Sequence, residues 1–520
     1  MPNSIKQIHL HPDKDNIFAA VKTEINNLKS RLTFDPTPVD PNMVPKDRLV
    51  RSKFVFARKT KADGSFDKYK ARLVVLGDRQ SPQTYSNTFA ETASSKTRSY
   101  LLALAVELGL DISDLDVDAA FLYSQLLIEM YLIRPNGLTD DDMPYCVRLL
   151  GCLYGLKQAA FEWKSHLTQS LLSLGFDKLL SDSCVFIRRF SDIDFIILLV
   201  HVDDILILST STSRTEWFHQ AIMQIYDIKF HSPSTSYLGI QMDHDKVNRT
   251  LKLTQPGYVT DLLQRFSSSI DGSCPKTPML QSDSQLQDNS AILLPADKTI
   301  YMQKVGSLNY LACCTRPDLS YAVSILSQHL SNPTLDNMNA INRVLNYVAS
   351  TPNLGITYTA SGNLDLHATI DSSYANHSDR KSQYGYTVHL GNLTNPPILA
   401  KSRKSKSVAL SSTEAEYLAI ADACKDIQWY HQLISELGFK SSSPTHLYED
   451  NQSTIAMLQN GNDKGRTKHI DIRHHYIRDM LANKEIDVTH LPTKDMIADI
   501  LTTPLGASDF QRLRQSLLGK

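Results

Sequence analysis

The stretch FIILLVHVDDILIL (residues 195–208) places two adjacent aspartates between two short apolar runs. Short apolar runs separated by a polar break predict the two strands of a tight hairpin, with Asp203 and Asp204 at its tip. Neighbouring anions beside buried strands repel each other unless a cation neutralises them, and a divalent metal does this best. Taken alone, the stretch leaves a solvated Asp-Asp turn as the alternative.

A second acidic stretch is DLDVDAAF (residues 114–121). Alternation along a strand puts its three aspartates on one face and its leucine and valine on the other. Asp-x-Asp-x-Asp also begins calcium-binding loops, but such loops need Gly at the sixth position and Glu at the twelfth. This chain has Ala119 and Gln125 there, so a calcium loop is rejected.

Carboxylates from these two distant segments can act together. Three of them can hold a pair of Mg²⁺ ions about 4 Å apart, one activating an attacking 3′-hydroxyl and the other stabilising the leaving pyrophosphate. In phosphoryl transfer, positioning and charge neutralisation supply most of the rate. The two stretches therefore predict polymerase chemistry.

Length and composition limit the possible number of domains and the class of protein. A chain of 520 residues is too long for one hydrophobic core, so several domains are expected. The net charge of −1 is not the bulk signature of a nucleic-acid binder, so a polyanion must be held by local basic patches. Seven cysteines without a Cys-x-x-Cys pair predict reduced thiols in an intracellular protein and no zinc site. No signal peptide and no apolar run of about 20 residues is found, which predicts that the protein is not a membrane protein.

Five ordered motifs resemble the reverse transcriptases of Ty/copia-type retrotransposons: KYKARLV (68–74), LDVDAAFL (115–122), LYGLKQA (153–159), VDDI (202–205) and YLGI (237–240). The stretch that follows the polymerase core in that family is similar to VGSLNYLA (305–312) and TRPDLSYA (315–322). The resemblance implies an RNA-directed DNA polymerase from a retrotransposon Pol polyprotein, hence a nucleotidyltransferase encoded by a transposable element.

The resemblance also implies roles for single residues. The metal triad would be Asp116, Asp203 and Asp204. The nucleotide-binding residues would be the triphosphate clamp Lys70 and Arg72, the steric gate Phe121 that rejects a 2′-hydroxyl, and Gln158 in the nucleotide pocket. Taken singly, the two cations fit a solvated strand face and Phe121 fits a core aromatic. One departure lies beside the triad, because His201 stands where the family usually has Tyr and could alter how the primer end is positioned.

The C-terminal part carries a second set of acids. Asp371 is predicted at the end of an alternating strand, and Asp450 follows an apolar-bounded strand. Glu416 shares a helix face with Ala419, Ile420 and Ala423, which turns it toward the sheet. Glu414 already has a structural role in the capping-box spacing Ser-x-x-Glu. Asp499 is expected in a helix that opens after Pro492, where an exposed structural acid is the alternative.

A strand Asp, a helix Glu, a strand-end Asp and a late Asp resemble the four carboxylates of ribonuclease H. The Ty/copia version is matched at SSTEAEY (411–417), KHIDIR (468–473) and ADILT (498–502). The resemblance implies an endonuclease, a hydrolase in which metal-activated water attacks the RNA strand of an RNA–DNA hybrid, with Asp371, Glu416, Asp450 and Asp499 as catalytic metal ligands. Basic clusters at 401–406 and 466–478 offer phosphate contacts, with solvated surface charge as the alternative.

The expected fold is α+β and multidomain: a right-hand polymerase of fingers, palm and thumb, then a connection region and a ribonuclease H-like mixed-sheet domain. The predicted units are an N-terminal leader or extension (1–45), fingers and palm (46–266), thumb and connection (267–360), and the ribonuclease H-like domain (361–520). A turn-rich connector at 62–65 predicts a hairpin between the first two strands.

The expected cofactor is Mg²⁺, two ions per active site, with Mn²⁺ as the alternative metal. Expected partners are an RNA template, a DNA primer, RNA–DNA hybrid and dNTPs, no membrane, and either an oligomer or polyprotein partners such as Gag and integrase. The expected location is the cytoplasm, in virus-like particles, with the nucleus as the alternative. The rival hypothesis is a decayed or domesticated copy that binds nucleic acid without catalysis.

Overall fold

The computed structural model of the chain describes residues 1–60, 66–282, 290–439, 443–460 and 468–519. Within these ranges the structure describes all side chains except those of residues 60, 460 and 468–474. The predicted connector at 62–65 and the residues around 466 in the second basic cluster lie outside the described residues. Among those described, no helix is both long and apolar enough to cross a bilayer.

The N-terminal half contains most of the strands. In chain order its elements are α1 (Ile5–Ile8), α2 (Lys14–Ser30), β1 (Leu49–Thr60), β2 (Phe66–Val75), α3 (Ser95–Leu108), β3 (Asp111–Val117), β4 (Gln125–Ile133), β5 (Cys146–Gly151), α4 (Ala159–Ser173), β6 (Asp177–Lys178), β7 (Val185–Arg189), β8 (Phe195–His201), β9 (Asp204–Ser209), α5 (Thr212–Met223), β10 (Ile228–His231), β11 (Ser236–Tyr237), β12 (Ile240–Asp245), β13 (Thr250–Thr254) and α6 (Pro256–Arg265).

The remainder is helical at first and then returns to a sheet. Its elements are α7 (Pro295–Cys314), α8 (Ser320–Ser327), α9 (Leu335–Ser350), β14 (Ile356–Thr359), β15 (Leu366–Ser373), β16 (Gln383–Leu390), β17 (Pro397–Lys404), α10 (Ser412–Glu436), β18 (Thr445–Glu449), α11 (Gln452–Asn460), α12 (Lys468–Ala482), β19 (Ile486–His490) and α13 (Ala507–Leu518).

The described residues form four sheets, in the strand orders β2-β1-β4-β5, β10-β3-β9-β8-β7-β6, β11-β12-β13-β14 and β17-β16-β15-β18-β19. The last is mixed, because β15 pairs antiparallel with β16 and parallel with β18. Helices pack against the sheets and form a separate cluster around α7, α8 and α9. The predicted α+β architecture is confirmed, including the mixed C-terminal sheet.

The hairpin predicted from residues 195–208 is present. Strands β8 and β9 pair antiparallel from Ile196↔Ser209 to His201↔Asp204, so Val202 and Asp203 form the turn. Both strands are buried along their apolar residues. This burial explains the near-continuous apolar runs, since a central strand covered on both faces does not alternate.

The first 45 residues pack against the first sheet. Helix α2 buries Ile17, Val21, Ile25 and Leu28. The Glu24 carboxylate accepts a hydrogen bond from the Leu73 backbone N–H in β2 at 3.0 Å. The N-terminal helix therefore covers the strand that carries Lys70 and Arg72. The predicted unit boundaries themselves stay a prediction.

A short strand, β14, lies immediately before the predicted unit boundary between residues 360 and 361. Strand β14 pairs antiparallel with β13, from Leu253↔Ile356 to Thr250↔Thr359. A Cβ on Gly355 would lie 2.0 Å from the Leu253 carbonyl oxygen, so the close approach of the two backbones needs glycine. Turn-forming residues thus surround a strand that is too short to be recognised from its own pattern.

Helix α10, which packs on the C-terminal sheet, also contacts the connection between β6 and β7 of the second sheet. The Glu436 carboxylate accepts hydrogen bonds from the backbone N–H groups of Leu180 (2.8 Å) and Ser181 (2.9 Å). The Trp429 indole N–H donates to the Ser181 carbonyl at 3.0 Å. The apolar core is continuous across this contact.

The helical cluster contains a buried ion pair. The Arg316 guanidinium donates to both carboxylate oxygens of Asp318, at 2.8 and 2.9 Å, and both side chains are at most 1% exposed. The Tyr347 hydroxyl donates to Asp318 at 2.7 Å, and Arg514 of α13 donates to that hydroxyl at 3.0 Å. Burial alone would raise the pKa of Asp318, but the charge of Arg316 and the hydrogen bonds from Arg316 and Tyr347 together outweigh it and hold the pKa below its usual value.

Replacing Asp318 with Ala is expected to lower the free energy of unfolding by about 3–5 kcal/mol, because Arg316 would be left as an uncompensated buried charge. Urea unfolding followed by circular dichroism measures the change. The matched control is Asp509→Ala, which removes an exposed ion pair with Arg512 (3.4 Å) on α13. That control should change stability by less than about 1 kcal/mol, and equal losses in both variants would contradict the prediction.

Candidate functional site

The first acidic site forms where β3 meets the β8–β9 hairpin. Strand β3 pairs antiparallel with β9, and Asp116 is the register partner of Asp204. The Val117 backbone N–H donates to the Asp203 carbonyl oxygen at 3.0 Å. The structure therefore brings together the three residues predicted as the metal triad, from segments almost 90 residues apart in the sequence.

The turn that carries Asp203 is held in an unusual backbone conformation. Val202 has φ +60°, which is rare for a β-branched residue. The indole N–H of the buried Trp163, on α4, donates to the Val202 carbonyl at 2.7 Å. This contact stabilises the turn conformation and fixes the direction in which the next residue leaves it.

Burial and mutual repulsion raise the pKa values of the turn acids. Burial raises the pKa of Asp204 to about 6, with Asp203 and Asp116 adding to the effect. Burial also raises the pKa of Asp203, and the charge of Asp116 adds to it. A cation bound among these acids would reduce the repulsion between their carboxylates and favour their ionised forms.

A lysine lies against Asp116. Lys229 on β10 is the register partner of Asp116, and its Nζ lies 3.4 Å from Asp116 Oδ2 and also contacts the Asp118 carboxylate. The oxygens of these three predicted ligands do not all lie within 4.8 Å of one another, whereas one oxygen from each of Asp371, Glu416 and Asp450 at the second site does. The Lys229 ion pair gives a physical reason, since it draws the Asp116 carboxylate toward β10.

Two of the predicted nucleotide-binding residues, Lys70 and Arg72, lie on β2 of the neighbouring first sheet. Burial lowers the pKa of Lys70, with the cations Arg72 and Lys59 adding and the charge of Asp116 opposing. The Arg72 guanidinium lies over the ring of Tyr154, 4.9 Å from its centroid. Phe121 packs edge-on against the same ring at 5.3 Å. Lys70, Arg72 and Phe121 are thus close to the first acidic site.

Gln158 occupies a more internal position. Its side chain is 5% exposed and accepts a hydrogen bond from the Gln80 amide at 2.8 Å. Its own amide group contacts the Thr84 carbonyl at 3.5 Å. In this conformation Gln158 is part of a buried amide network, and its role in the nucleotide pocket stays a prediction.

The second acidic site is more tightly assembled. One carboxylate oxygen from each of Asp371, Glu416 and Asp450 lies within 4.8 Å of the other two. Asp371 comes from β15, Glu416 from α10 and Asp450 from the residue after β18. Asp371 is not at the end of its strand as expected, because pairing with β16 continues to Ser373↔Gln383.

Hydroxyl groups orient two of these acids. The Thr502 hydroxyl donates to the Asp371 carboxylate, and the Thr493 hydroxyl donates to Asp450 at 2.6 Å. Glu416 is 4% exposed, and its Oε2 is buried without a hydrogen-bond partner among the described residues. An unpaired buried carboxylate oxygen is costly, so the cluster fits oxygen-coordinated divalent cations.

The fourth predicted acid lies in a different local structure from the one expected. Two 3₁₀ turns, Thr493–Asp495 and Ile497–Leu501, replace the predicted helix. The second turn packs Ile497, Ile500 and Leu501 into the helical cluster. Asp499 nevertheless lies near the other acids. Burial raises its pKa to about 8, and the charges of the neighbouring Asp371 and Asp450 add to this shift.

One buried acid at this site was missed. Glu449, beside Asp450, is fully buried, and no residue in the described part of the chain forms a hydrogen bond with its Oε2. Burial raises its pKa to about 8, and the charges of Asp450 and Asp371 add to the shift. The adjacent acids Glu449 and Asp450 repeat the pattern of Asp203 and Asp204, which could have drawn attention to Glu449. Lys229 offered no such signal, since its pairing with Asp116 depends on strand register.

The raised pKa values predict how stability depends on pH without metal. Burial raises the pKa of Asp371 to about 6, and those of Asp499 and Glu449 to about 8. The folded protein therefore retains protons that the unfolded chain has already released. Unfolding releases these protons, so the free energy of unfolding should fall as the pH rises from about 4 to 8.

Thermal unfolding in EDTA at pH 5 and pH 8 tests this expectation. The melting temperature should be lower at pH 8, and adding Mg²⁺ should raise it more at pH 8 than at pH 5, because protonation competes with metal binding. Asp499→Asn should reduce the difference between the two pH values. An equal effect of Mg²⁺ at both pH values would contradict the prediction.

The chain is similar to several known proteins over most of its length. The family described as "Reverse transcriptase (RNA-dependent DNA polymerase)" matches residues 42–281. The Retrovirus-related Pol polyprotein from transposon RE2 of Arabidopsis thaliana is 38% identical over 501 residues, which cover 96% of this chain and 34% of that protein. The corresponding polyprotein from transposon TNT 1-94 of Nicotiana tabacum is 31% identical over 522 residues, covering 99% of this chain and 38% of that protein.

A yeast relative matches over the same span. The Transposon Ty1-NL1 Gag-Pol polyprotein of Saccharomyces cerevisiae is 27% identical over 531 residues, covering 96% of this chain and 29% of that protein. The chain thus spans about a third of the length of these curated relatives. Among solved structures, the foamy viral protease-reverse transcriptase dRH in complex with double-stranded DNA has a TM-score of 0.49 at 11% identity, covering 91% of this chain and 69% of that one.

Proposed function

Because the chain belongs to the Ty1/copia-type family of retrovirus-related Pol polyproteins and carries a reverse transcriptase domain, we propose that it copies RNA into DNA and cleaves the RNA of the resulting hybrid. The observation that carries the polymerase part is the meeting of Asp116 with Asp203 and Asp204 within the region that matches the reverse transcriptase family. The nuclease part is supported by the second acidic site, where one carboxylate oxygen from each of Asp371, Glu416 and Asp450 lies within 4.8 Å of the other two.

The residues of the first site divide the work of polymerisation between them. Asp116, Asp203 and Asp204 would hold two Mg²⁺ ions, which supply activation of the primer 3′-hydroxyl and stabilisation of the leaving pyrophosphate. Lys70 and Arg72 would bind the triphosphate of the incoming dNTP, since a planar guanidinium suits phosphate oxygens. Phe121 would exclude a nucleotide with a 2′-hydroxyl by its bulk.

The residues of the second site are arranged for hydrolysis. Asp371, Glu416, Asp450 and Asp499 would hold divalent cations, which supply an activated water and charge stabilisation at the scissile phosphate. Thr502 and Thr493 keep two of these carboxylates oriented. The 2′-hydroxyl in the wide minor groove of a hybrid distinguishes RNA from DNA.

A cleft of about 520 Å³ offers a path for the nucleic-acid backbone. It lies between the start of α3, helices α7 and α8, and edge strand β17 of the C-terminal sheet. Its basic lining residues are Lys96, Lys401, Arg403, Lys404 and Lys406, and several serines lie among them. Asp426 partly neutralises Lys96 and Lys401. Affinity for a hybrid should therefore fall with rising salt.

The test uses the intact chain with Mg²⁺, a labelled DNA primer on an RNA template, and dNTPs, with a second reaction on a preformed hybrid carrying labelled RNA. Primer extension and RNA cleavage are both expected, and EDTA should abolish both. A folded chain that binds hybrid but performs neither reaction would favour the decayed or domesticated binding protein. Cytoplasmic or nuclear location and the Gag and integrase partners stay predictions.

A further inference from the structure

We propose that Tyr154 determines the sugar specificity of the polymerase site, by packing against the gate residue Phe121 on one side and the phosphate-binding Arg72 on the other. The inference rests on the proposed polymerase function and adds a residue to which no role has been given. Tyr154 acts through its two neighbours, so it is a positioning residue and not a catalytic one.

The contacts of the Tyr154 ring connect the two ends of a nucleotide site. The Arg72 guanidinium carbon lies 4.9 Å from the ring centroid, within the range of a cation–π contact. The Phe121 ring meets the same ring at 5.3 Å and 78°, an edge-to-face arrangement. A group that binds triphosphate and a group that screens the sugar therefore share one aromatic support.

The backbone of Tyr154 is fixed to the strand that carries Arg72. Its carbonyl oxygen accepts a hydrogen bond from the Val75 backbone N–H at 2.7 Å. The next residue, Gly155, has φ +90°, and a Cβ there would lie 2.2 Å from the Val75 carbonyl oxygen. Only glycine permits this approach, so the ring moves together with β2 and keeps its relation to Arg72.

The ring also lies beside the first acidic site. Burial raises the pKa of Tyr154 to about 12, and the charges of Asp203 and Asp116 add to the shift while Arg72 opposes it. Like any tyrosine side chain near neutral pH, the phenol is uncharged and adds no negative charge next to a triphosphate. Leucine at this position would keep apolar volume but would remove both ring contacts.

The consequence concerns the choice between deoxyribonucleotides and ribonucleotides. A gate excludes a 2′-hydroxyl only if its ring stays in place, and the Tyr154 ring packs edge-on against the Phe121 ring and restricts its movement on that side. Loss of the ring should therefore relax discrimination, and it should also weaken binding of the triphosphate because Arg72 loses its support. Both effects concern substrate binding more than the rate of the chemical step.

The test compares steady-state kcat and KM for dCTP and CTP on an RNA template. In Tyr154→Leu, discrimination should fall about tenfold, since an aromatic contact contributes on that scale, and the KM for dCTP should rise by a larger factor than kcat falls. Tyr154→Phe, which retains the ring, should restore both quantities. Phe121→Leu combined with Tyr154→Leu should discriminate no worse than Phe121→Leu alone.

Tyr145→Leu is the matched control. Tyr145 also contacts an arginine, with Arg134 5.9 Å from its centroid, and its carbonyl accepts the Arg134 backbone N–H at 3.0 Å. It has no contact with Phe121, so discrimination should stay at the level of the unchanged protein. Cleavage of a preformed hybrid reports in each variant that the chain has folded.

Normal discrimination in a Tyr154→Leu protein that still cleaves hybrid would overturn the inference, as would an equal loss in Tyr145→Leu. If Tyr154→Leu does not fold, discrimination between dCTP and CTP is measured in Tyr154→Met instead, because methionine fills the volume without a ring. A chain that extends no primer before any substitution overturns the proposed polymerase function, and with it this inference. Extension with unchanged discrimination in the Tyr154 variants overturns the inference alone.

Discussion

Replacing Asp203 with Asn is expected to lower DNA synthesis by at least about 1,000-fold. A carboxylate-held metal contributes several kcal/mol of charge stabilisation in the transition state, and each factor of ten in rate corresponds to about 1.4 kcal/mol. Asparagine keeps the size of the side chain but removes the charge that would hold the cation. The Trp163 hydrogen bond to Val202 should keep the turn in place, so the loss reflects chemistry and not folding.

The measurement is primer extension on an RNA template, with cleavage of a preformed hybrid recorded in parallel. Hybrid cleavage by Asp203→Asn should remain within about twofold of the unchanged protein, because the second site contains none of the same ligands. Asp192→Asn is the matched control, since Asp192 is an exposed aspartate in the turn before β8, at the opposite end of that strand. Undiminished synthesis by Asp203→Asn would place the polymerase metals elsewhere.

Replacing Asp450 with Asn is expected to have the opposite pattern. RNA cleavage should fall by at least about 1,000-fold, for the same reason of lost charge stabilisation, while DNA synthesis continues. Asp450 is one of the three acids whose oxygens lie within 4.8 Å, and Thr493 can still contact the amide oxygen of the variant. The fold should therefore persist.

The matched control for the second site is Asp495→Asn. Asp495 is an exposed aspartate in the same 3₁₀ turn as Thr493. It should leave both reactions unchanged. Loss of synthesis together with cleavage in Asp450→Asn would contradict the assignment of two separate metal sites and would indicate general unfolding or one shared site.

The buried neighbour of Asp450 bears on how the nuclease prediction is interpreted. Within the part of the chain that the structure describes, Glu449 and Glu416 each have a buried carboxylate oxygen without a hydrogen-bond partner. Together with Asp371 and Asp450 they place four acids in a small volume, an arrangement that repulsion disfavours unless protons or cations neutralise it. The pH dependence of stability in EDTA and the effect of Mg²⁺ therefore report on the same acids that the activity assay tests.

The sequence alone determined the elements whose signals are local. The β8–β9 hairpin followed from two apolar runs around a polar break, and the face of α10 that carries Glu416 followed from three- and four-residue spacing. Capping by Ser411 assigned Glu414 to the helix start, and the structure shows the Ser411 hydroxyl accepting the Glu414 backbone N–H. The ordered motifs were sufficient to indicate the family, because they are short and contiguous in the chain.

The tertiary structure decided what depends on contacts between distant segments. The Lys229 ion pair with Asp116 and the pairing of β14 with β13 depend on strand register, which a short strand does not encode by itself. The two 3₁₀ turns around Asp499 replace the expected helix, with Ile497, Ile500 and Leu501 buried in the helical cluster. The sequence predicted the acids of both sites except Glu449, and packing between distant segments set the distances among them.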